Sequence, residues 1–340
     1  MFQIWLALDM NLPLGAIGEH ARRAEALGCD VVTLPDVAYD AFLGAQAAIQ
    51  ATGRIAVATS GLVCFARSPM VTAVASWNLA AISAGRFRLG LSSLVPPMLV
   101  GRFSVPWHPP APRMREYIGS LQAIFASWQD DIPLRYEGQH YRFTRQNSWT
   151  RPSPIAHPDI PIHLGAIGPQ MSALAGECTR GVLTHPTNTA ARYIRDVTLE
   201  RIAQGARRAE RSAGSAELVV SPMCATGRTA GEVREQREKC RELLAISLST
   251  PQYWPTLELF GWRETGERLR QLVRENRWDL LSSQIHDEML DVLVPTARWE
   301  ELARVLRERF DGLASGICLP LPLDAADDEA LGLVIRELQE

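Results

Sequence analysis

The chain has 340 residues, 46% hydrophobic and 21% charged, with a formal net charge of −3. That composition suits a globular protein with a sizeable core, and the weak negative charge offers no electrostatic footprint for nucleic acid or an anionic membrane. No apolar run approaches the roughly 20 residues of a membrane span, and Met1 leads straight into QIWLAL without a charged leader or cleavage pattern, so a cytoplasmic protein is expected.

Elements alternate along the first half of the chain. Phe2 to Leu8 reads as a strand, Pro13 to Leu27 as a helix stopped by Gly28, and Asp30 to Leu34 as a second strand. An Ala-rich helix from about Asp40 to Thr52 leads to a third strand at Ile55 to Ala58. A helix opening near Pro69 and ending at Gly85 leads to a fourth strand at Arg86 to Leu91. A strand-helix period of about 25 to 30 residues is the pattern of a parallel α/β fold. A long Pro- and aromatic-bearing loop follows, re-entering a helix from Pro112 to Trp128, and LRYEGQHYRFT suggests a hairpin over Leu134 to Thr144. Strands five, six and seven are read at Ile162 to Leu164, Gly181 to Thr184 and Leu218 to Val220, with an Arg-rich helix from Ala190 to Ser212 between the last two. A helical insertion from Gly231 to Glu308 precedes the last strand, Gly316 to Leu319, and a final helix from about Asp327. Eight strands without a low-complexity linker predict one domain over 1–340, a (β/α)8 TIM-type barrel with insertions at about 93–112, 130–160 and 231–308.

In such a barrel, ligands sit at the carboxyl ends of the strands, so residues there are the candidates. Asp36 and Tyr39 follow strand two; Asp36 either faces the cavity or caps the next helix. Ser60 and Gly61 end strand three, where small residues let backbone approach a flat ligand or simply form a loop. Ser92 and Ser93 end strand four and can donate to a phosphate or ring carbonyl, or satisfy loop backbone. Gly165, Ala166, Ile167, Gly168 and Pro169 end strand five and open a helix, an arrangement suited to an anion. His185, after strand six, and His108, in the Pro-rich loop, could move a proton near neutral pH, although lone histidines are more often structural. Met98 and Trp107 sit in that loop and could wall an apolar pocket, while Trp5 and Trp149 read more naturally as core. Six scattered cysteines without CxxC, and seven histidines without HxH or HExxH, leave no metal spacing, so no metal is expected.

Short stretches in this order, DAFL (Asp40 to Leu43), FARSPM (Phe65 to Met70), AGRFRLGL (Ala84 to Leu91), RMREY (Arg113 to Tyr117), GPQM (Gly168 to Met171), ATGRT (Ala225 to Thr229), LELFGW (Leu257 to Trp262) and DEMLD (Asp287 to Asp291), resemble the bacterial luciferase-like monooxygenase superfamily and its F420-dependent branch. The resemblance implies a cofactor across the barrel mouth and hydride transfer to or from it. It implies that Asp36 lies near the reacting ring, that Ser60-Gly61 forms a bulge, often with a non-proline cis peptide, behind that ring, that Ser92 and Ser93 contact the cofactor tail, and that Gly165 to Pro169 cradle its phosphate. It also suggests a homodimer through helices near strands two to four. One departure stands out: Leu94, Val95, Pro96, Pro97 and Met98 occupy positions where relatives carry polar cofactor contacts, and Ser92 replaces a family glycine.

These readings predict an oxidoreductase using coenzyme F420, with FMN second, acting on a hydrophobic small molecule such as a secondary metabolite, with Asp36 or Tyr39 as proton donor. The alternative is a cofactor-independent isomerase or cyclase on the same barrel, motivated by LVPPM; a non-catalytic binding barrel has no positive feature in its favour.

Overall fold

Eight parallel strands close on themselves in the computed structural model, which describes residues 1–212 and 214–340. They are β1 (Gln3–Ala7), β2 (Val31–Leu34), β3 (Ala56–Thr59), β4 (Phe87–Ser92), β5 (Ile162–Gly165), β6 (Gly181–Leu183), β7 (Glu217–Val220) and β8 (Gly316–Pro320). Each strand pairs with the next, and β8 returns to β1 from Gln3↔Gly316 to Ala7↔Pro320, so the barrel has no free edge. The fold is the expected (β/α)8 barrel.

Alternation along each strand sorts side chains between two cores. Ile4, Leu6, Val32, Val57, Leu89, Leu91, Leu164 and Ile317 point outward into the layer of helices, among Ile17, Ala45, Trp77, Leu121 and Leu306. Trp5, Val31, Ala58, Leu183, Val219 and Cys318 form a separate cluster inside the barrel. The helices begin where the sequence supplies caps. Asp40 accepts from the Phe42 N–H at 2.8 Å to open Ala41–Ala51, and Ser68 accepts from Val71 at 3.4 Å to open Pro69–Ile82.

Three expectations about elements need correction. The segment after β4 is not all loop: Pro96–Phe103 is a helix whose prolines occupy its first turn, where no N–H is required, and the next helix opens at Pro110 rather than Pro112. The helix expected over Ala190 to Ser212 is interrupted by a π-helical stretch, Ile194–Leu199, and ends at Arg208. The insertion is shorter than read. Cys240, Leu248, Leu257, Leu269 and Met289 form a core of their own, whereas Trp299–Phe310 buries Trp299, Leu302 and Leu306 in the barrel's helical layer against Asp328–Gln339. Amphipathic spacing shows that a helix has an apolar face, but not which core receives it.

Candidate active site

The floor of the barrel mouth is set by a bulge in the chain after β3. Ala58 pairs with Arg88, but Leu62 pairs with Leu91, so the third strand carries one more residue than its partner between those pairs. The Thr59 hydroxyl fills the gap, donating to the Gly90 carbonyl and accepting from the Gly90 N–H, both at 2.9 Å. A side chain at Gly90 would place its Cβ 2.0 Å from the Thr59 carbonyl oxygen, so only glycine lets the bulge seat. Gly61 completes the turn at φ +87°, with every described peptide bond trans. The cis peptide implied by the resemblance at Ser60-Gly61 is therefore absent, the left-handed glycine redirecting the chain instead.

Ser92 lies between two glycines at this level. A Cβ on Gly61 would be 3.5 Å from the Ser92 Cβ, and one on Gly165 would be 3.9 Å from it. Above them opens a cavity of about 370 Å³. Ser92, Ser93, Leu94, Val95, Pro96 and Trp107 form one side, Gly165, Ile167, Gly168, Pro169, Gln170 and Met171 another, and Gln252 and Tyr253 reach in from the insertion. Leu94, at φ +59°, is held by its N–H donating to Ser92 Oγ at 3.2 Å, which presents the apolar wall to the cavity.

The end of β5 is arranged to offer donors. Its carbonyls are tied back: Asn188 Nδ2 donates to Ala166 at 3.1 Å and the Tyr193 hydroxyl donates to Ile167 at 3.0 Å. The N–H groups of Ile167, Gly168, Gln170 and Met171 have no acceptor among the described residues. Gly168 caps the helix Pro169–Cys178 with open space where a side chain would stand. Free N–H groups at a ten-residue helix start suit an anion such as a phosphate.

His185 sits two residues beyond Leu183, on the inward-facing register of β6. Its Nδ1 accepts from the Thr187 N–H at 3.3 Å and lies 2.9 Å from the Thr187 hydroxyl. A backbone N–H can only donate, so the ring proton belongs on Nε2. The ring stacks on Tyr253 with centroids 4.5 Å apart, linking it to the cavity wall. Burial pushes its pKa down to about 4, so it is a neutral imidazole near pH 7.

Other expected site residues stand apart from the cavity. Asp36 does not line the cavity. Its side chain is 6% exposed and its oxygens accept from Arg67 Nη1 at 2.7 Å, Arg67 Nη2 at 3.2 Å, the Val63 N–H at 2.9 Å and the Ala41 N–H at 3.2 Å. Those four bonds make it a clamp between the loops after β2 and β3. Tyr39 is also off the cavity. Its hydroxyl is buried without a partner, and desolvation, with Asp9 adding, raises its pKa to about 12. Ser60 lies on the bulge and does not line the cavity. Met98 is 42% exposed on the outer side of its helix, while Leu99 is the residue buried there. His108 is exposed and its ring neighbours His140 at 6.3 Å. Among the described residues no three His, Cys, Asp or Glu side chains are placed to hold a metal ion. Sequence reading missed Gln170, Gln252, Tyr253, Asn188 and Arg67, although Gln170 lay in GPQM and Arg67 in FARSPM, stretches already singled out.

A closed parallel barrel with free N–H groups and an apolar wall at its C-terminal mouth is a member of the TIM-barrel class, in which small-molecule sites lie at that end. Residues 2–316 match the luciferase-like monooxygenase family, and the chain belongs to that family. It is 31% identical over 336 residues to an uncharacterised protein of Mycobacterium tuberculosis, covering 98% of each chain. Among solved structures it is similar to the coenzyme F420-dependent tetrahydromethanopterin reductase of Methanopyrus kandleri, with a TM-score of 0.80 at 18% identity, covering 99% of this chain and 98% of that one. It is also similar to an EDTA monooxygenase of Chelativorans, with a TM-score of 0.76 at 16% identity, covering 99% and 93%.

Proposed function

We propose that the protein is an oxidoreductase that holds a phosphorylated deazaflavin, coenzyme F420, with FMN as the second candidate, and exchanges a hydride with a hydrophobic, carbonyl-bearing small molecule. The observation that carries this reading is the set of unpaired N–H groups at Ile167, Gly168, Gln170 and Met171 beside the Ser92 and Ser93 hydroxyls. The residues fit such a group: the N–H groups suit its phosphate, and the cavity beside Ser92, Gly165 and Gly168 is lined by small residues. The relative named for F420 supports the first candidate. When bound, the cofactor supplies or accepts the hydride.

The chain's own residues do the rest. Leu94, Val95, Pro96 and Trp107 exclude water and hold an apolar substrate. His185, held by Thr187 and stacked on Tyr253, stands behind the lining and keeps Tyr253 against the substrate. A homodimer is proposed through the exposed apolar side chains Leu43, Val71, Val74 and Ile82 on the helices after β2 and β3, to be checked by light scattering.

A second reading rests on the same wall. Between Leu94 and Pro96 no side chain can hydrogen-bond a cofactor, which favours a cofactor-free isomerase or cyclase using the cavity alone. Titration with F420 and with FMN separates the readings. Micromolar binding of either supports the first. Absence of binding to both refutes it, and turnover in plain buffer then supports the second.

A further inference from the structure

The opposite end of the barrel carries a feature that the proposed reaction does not use. A TIM-barrel interior is ordinarily filled by branched apolar side chains. Here the N-terminal level is polar, with Gln3 of β1, Arg88 of β4, His163 of β5 and Glu217 of β7 facing one another. Gly181 makes room for them, since a Cβ there would lie 2.8 Å from both the His163 ring and the Glu217 carbonyl. Breaking a buried ion pair is costly, yet replacing the whole arrangement by apolar residues is often neutral or stabilising, so stability alone does not account for this layer.

Most members of the layer are satisfied. Glu217 takes His163 Nε2 at 3.3 Å and Arg180 Nε at 2.9 Å, and Gln3 Oε1 accepts from Trp5 Nε1 at 2.9 Å. Two groups are left over: His163 Nδ1, buried without a partner, and the outer edge of Arg88. Arg88 Nη1 donates to Gln3 Oε1 at 3.0 Å and its guanidinium lies 5.3 Å over the Trp5 ring, which fixes the group's position. Its Nε and Nη2 have no acceptor among the described residues, and no carboxylate lies within salt-bridge distance. That free edge is the fork that takes a carboxylate or phosphate through two parallel hydrogen bonds.

Arg88 lines a cavity of about 760 Å³ at this end, together with His163, Arg180, Arg211 and Glu217. The charge there favours an anion. Arg88, Arg180 and Arg211 face Glu177, Glu217 and Asp159, but Glu177 pairs with Arg115 and Glu217 with Arg180, so Arg88 and Arg211 have no carboxylate within salt-bridge distance among the described residues. Arg211 spends its donors on the carbonyls of Gly176 and Thr179, so it contributes charge without a competing carboxylate.

We propose that the N-terminal mouth of the barrel is a second ligand site, in which the Nε/Nη2 edge of Arg88 binds the carboxylate or phosphate of a small anionic molecule and Arg180 contributes to its rim. The site lies at the other end of the barrel from the Ser92–Gly168 cavity and does not depend on the redox reading. Calorimetric titration of the full chain with malonate, and separately with inorganic phosphate, tests it and distinguishes the two sources of the oxyanion. Saturable one-to-one binding of either is expected. It should be undisturbed by FMN and weakened about tenfold or more by Arg88→Met. Arg88→Lys, which keeps the charge without the fork, serves if the methionine variant does not fold and should also weaken binding. Arg180→Gln should weaken it less. Absence of saturable binding to both probes, or equal affinity in the Arg88 variants, overturns the proposal.

Discussion

The Asp36–Arg67 clamp gives a direct test of how this site should be read. Asp36→Ala removes four accepted hydrogen bonds at once. Arg67, 17% exposed, would keep only Asp40 at 2.9 Å, itself 41% exposed, and the Val63 carbonyl at 3.2 Å. The N–H groups of Val63 and Ala41 would lose the carboxylate. Breaking a largely buried pair costs about 3–5 kcal/mol, and the surviving Asp40 contact puts this case near the lower end, about 3 kcal/mol. With native stabilities of about 5–15 kcal/mol, that is a large share of the total. Urea denaturation followed by tryptophan fluorescence should show a clear fall in the midpoint, with turnover per folded molecule nearly unchanged at a temperature where the variant remains folded. Asp36→Asn, which keeps the shape and some acceptors, should fall between. An Asp36→Asn or Asp36→Ala protein with wild-type stability and abolished turnover would refute the clamp and return Asp36 to the chemistry.

Gly90→Ala should yield little folded protein or lose more than about 4 kcal/mol, because its Cβ would fall 2.0 Å from the Thr59 carbonyl oxygen; a native-like denaturation midpoint would rule out the bulge as drawn. Burial holds His185 at about 4, below its ordinary 6.5, so the unfolded chain binds the proton first as acid is added. Its contribution is whole above pH 6.5 and is lost as the pH falls toward 4, at most about 3 kcal/mol, and His185→Asn should flatten that part of the stability–pH curve. An unflattened curve would mean that His185 is solvated. Trp107→Ala should weaken binding of a hydrophobic substrate by about tenfold, whereas Met98→Ala, with its side chain outside the cavity, should leave it unchanged. Equal effects from both would mean that the apolar wall is misassigned.

Much of the fold was legible because strands and helices announce themselves locally. Alternating or continuous apolar runs marked all eight strands, and Asp40 and Pro69 marked helix starts, the one through a cap two residues long and the other through its fixed φ. The glycines of Gly165 to Pro169 likewise betrayed a strand-to-helix turn with free donors, since that geometry is built within five consecutive residues. Roles decided by distant partners were not legible. Asp36 looked like a mouth acid until Arg67, 31 residues further on, took up its oxygens. The β-bulge, implied by the resemblance, rests on the register between β3 and β4, which the residues alone do not give, and the placement of Trp299–Phe310 depended on which of two cores could accept its apolar face. His185 acquired its tautomer and depressed pKa only when Thr187, Tyr253 and the insertion enclosed it. Local backbone preference and periodicity thus determined the elements, while closure of the barrel decided which polar atoms were left free, because burial and hydrogen bonding depend on neighbours that the linear chain does not place side by side.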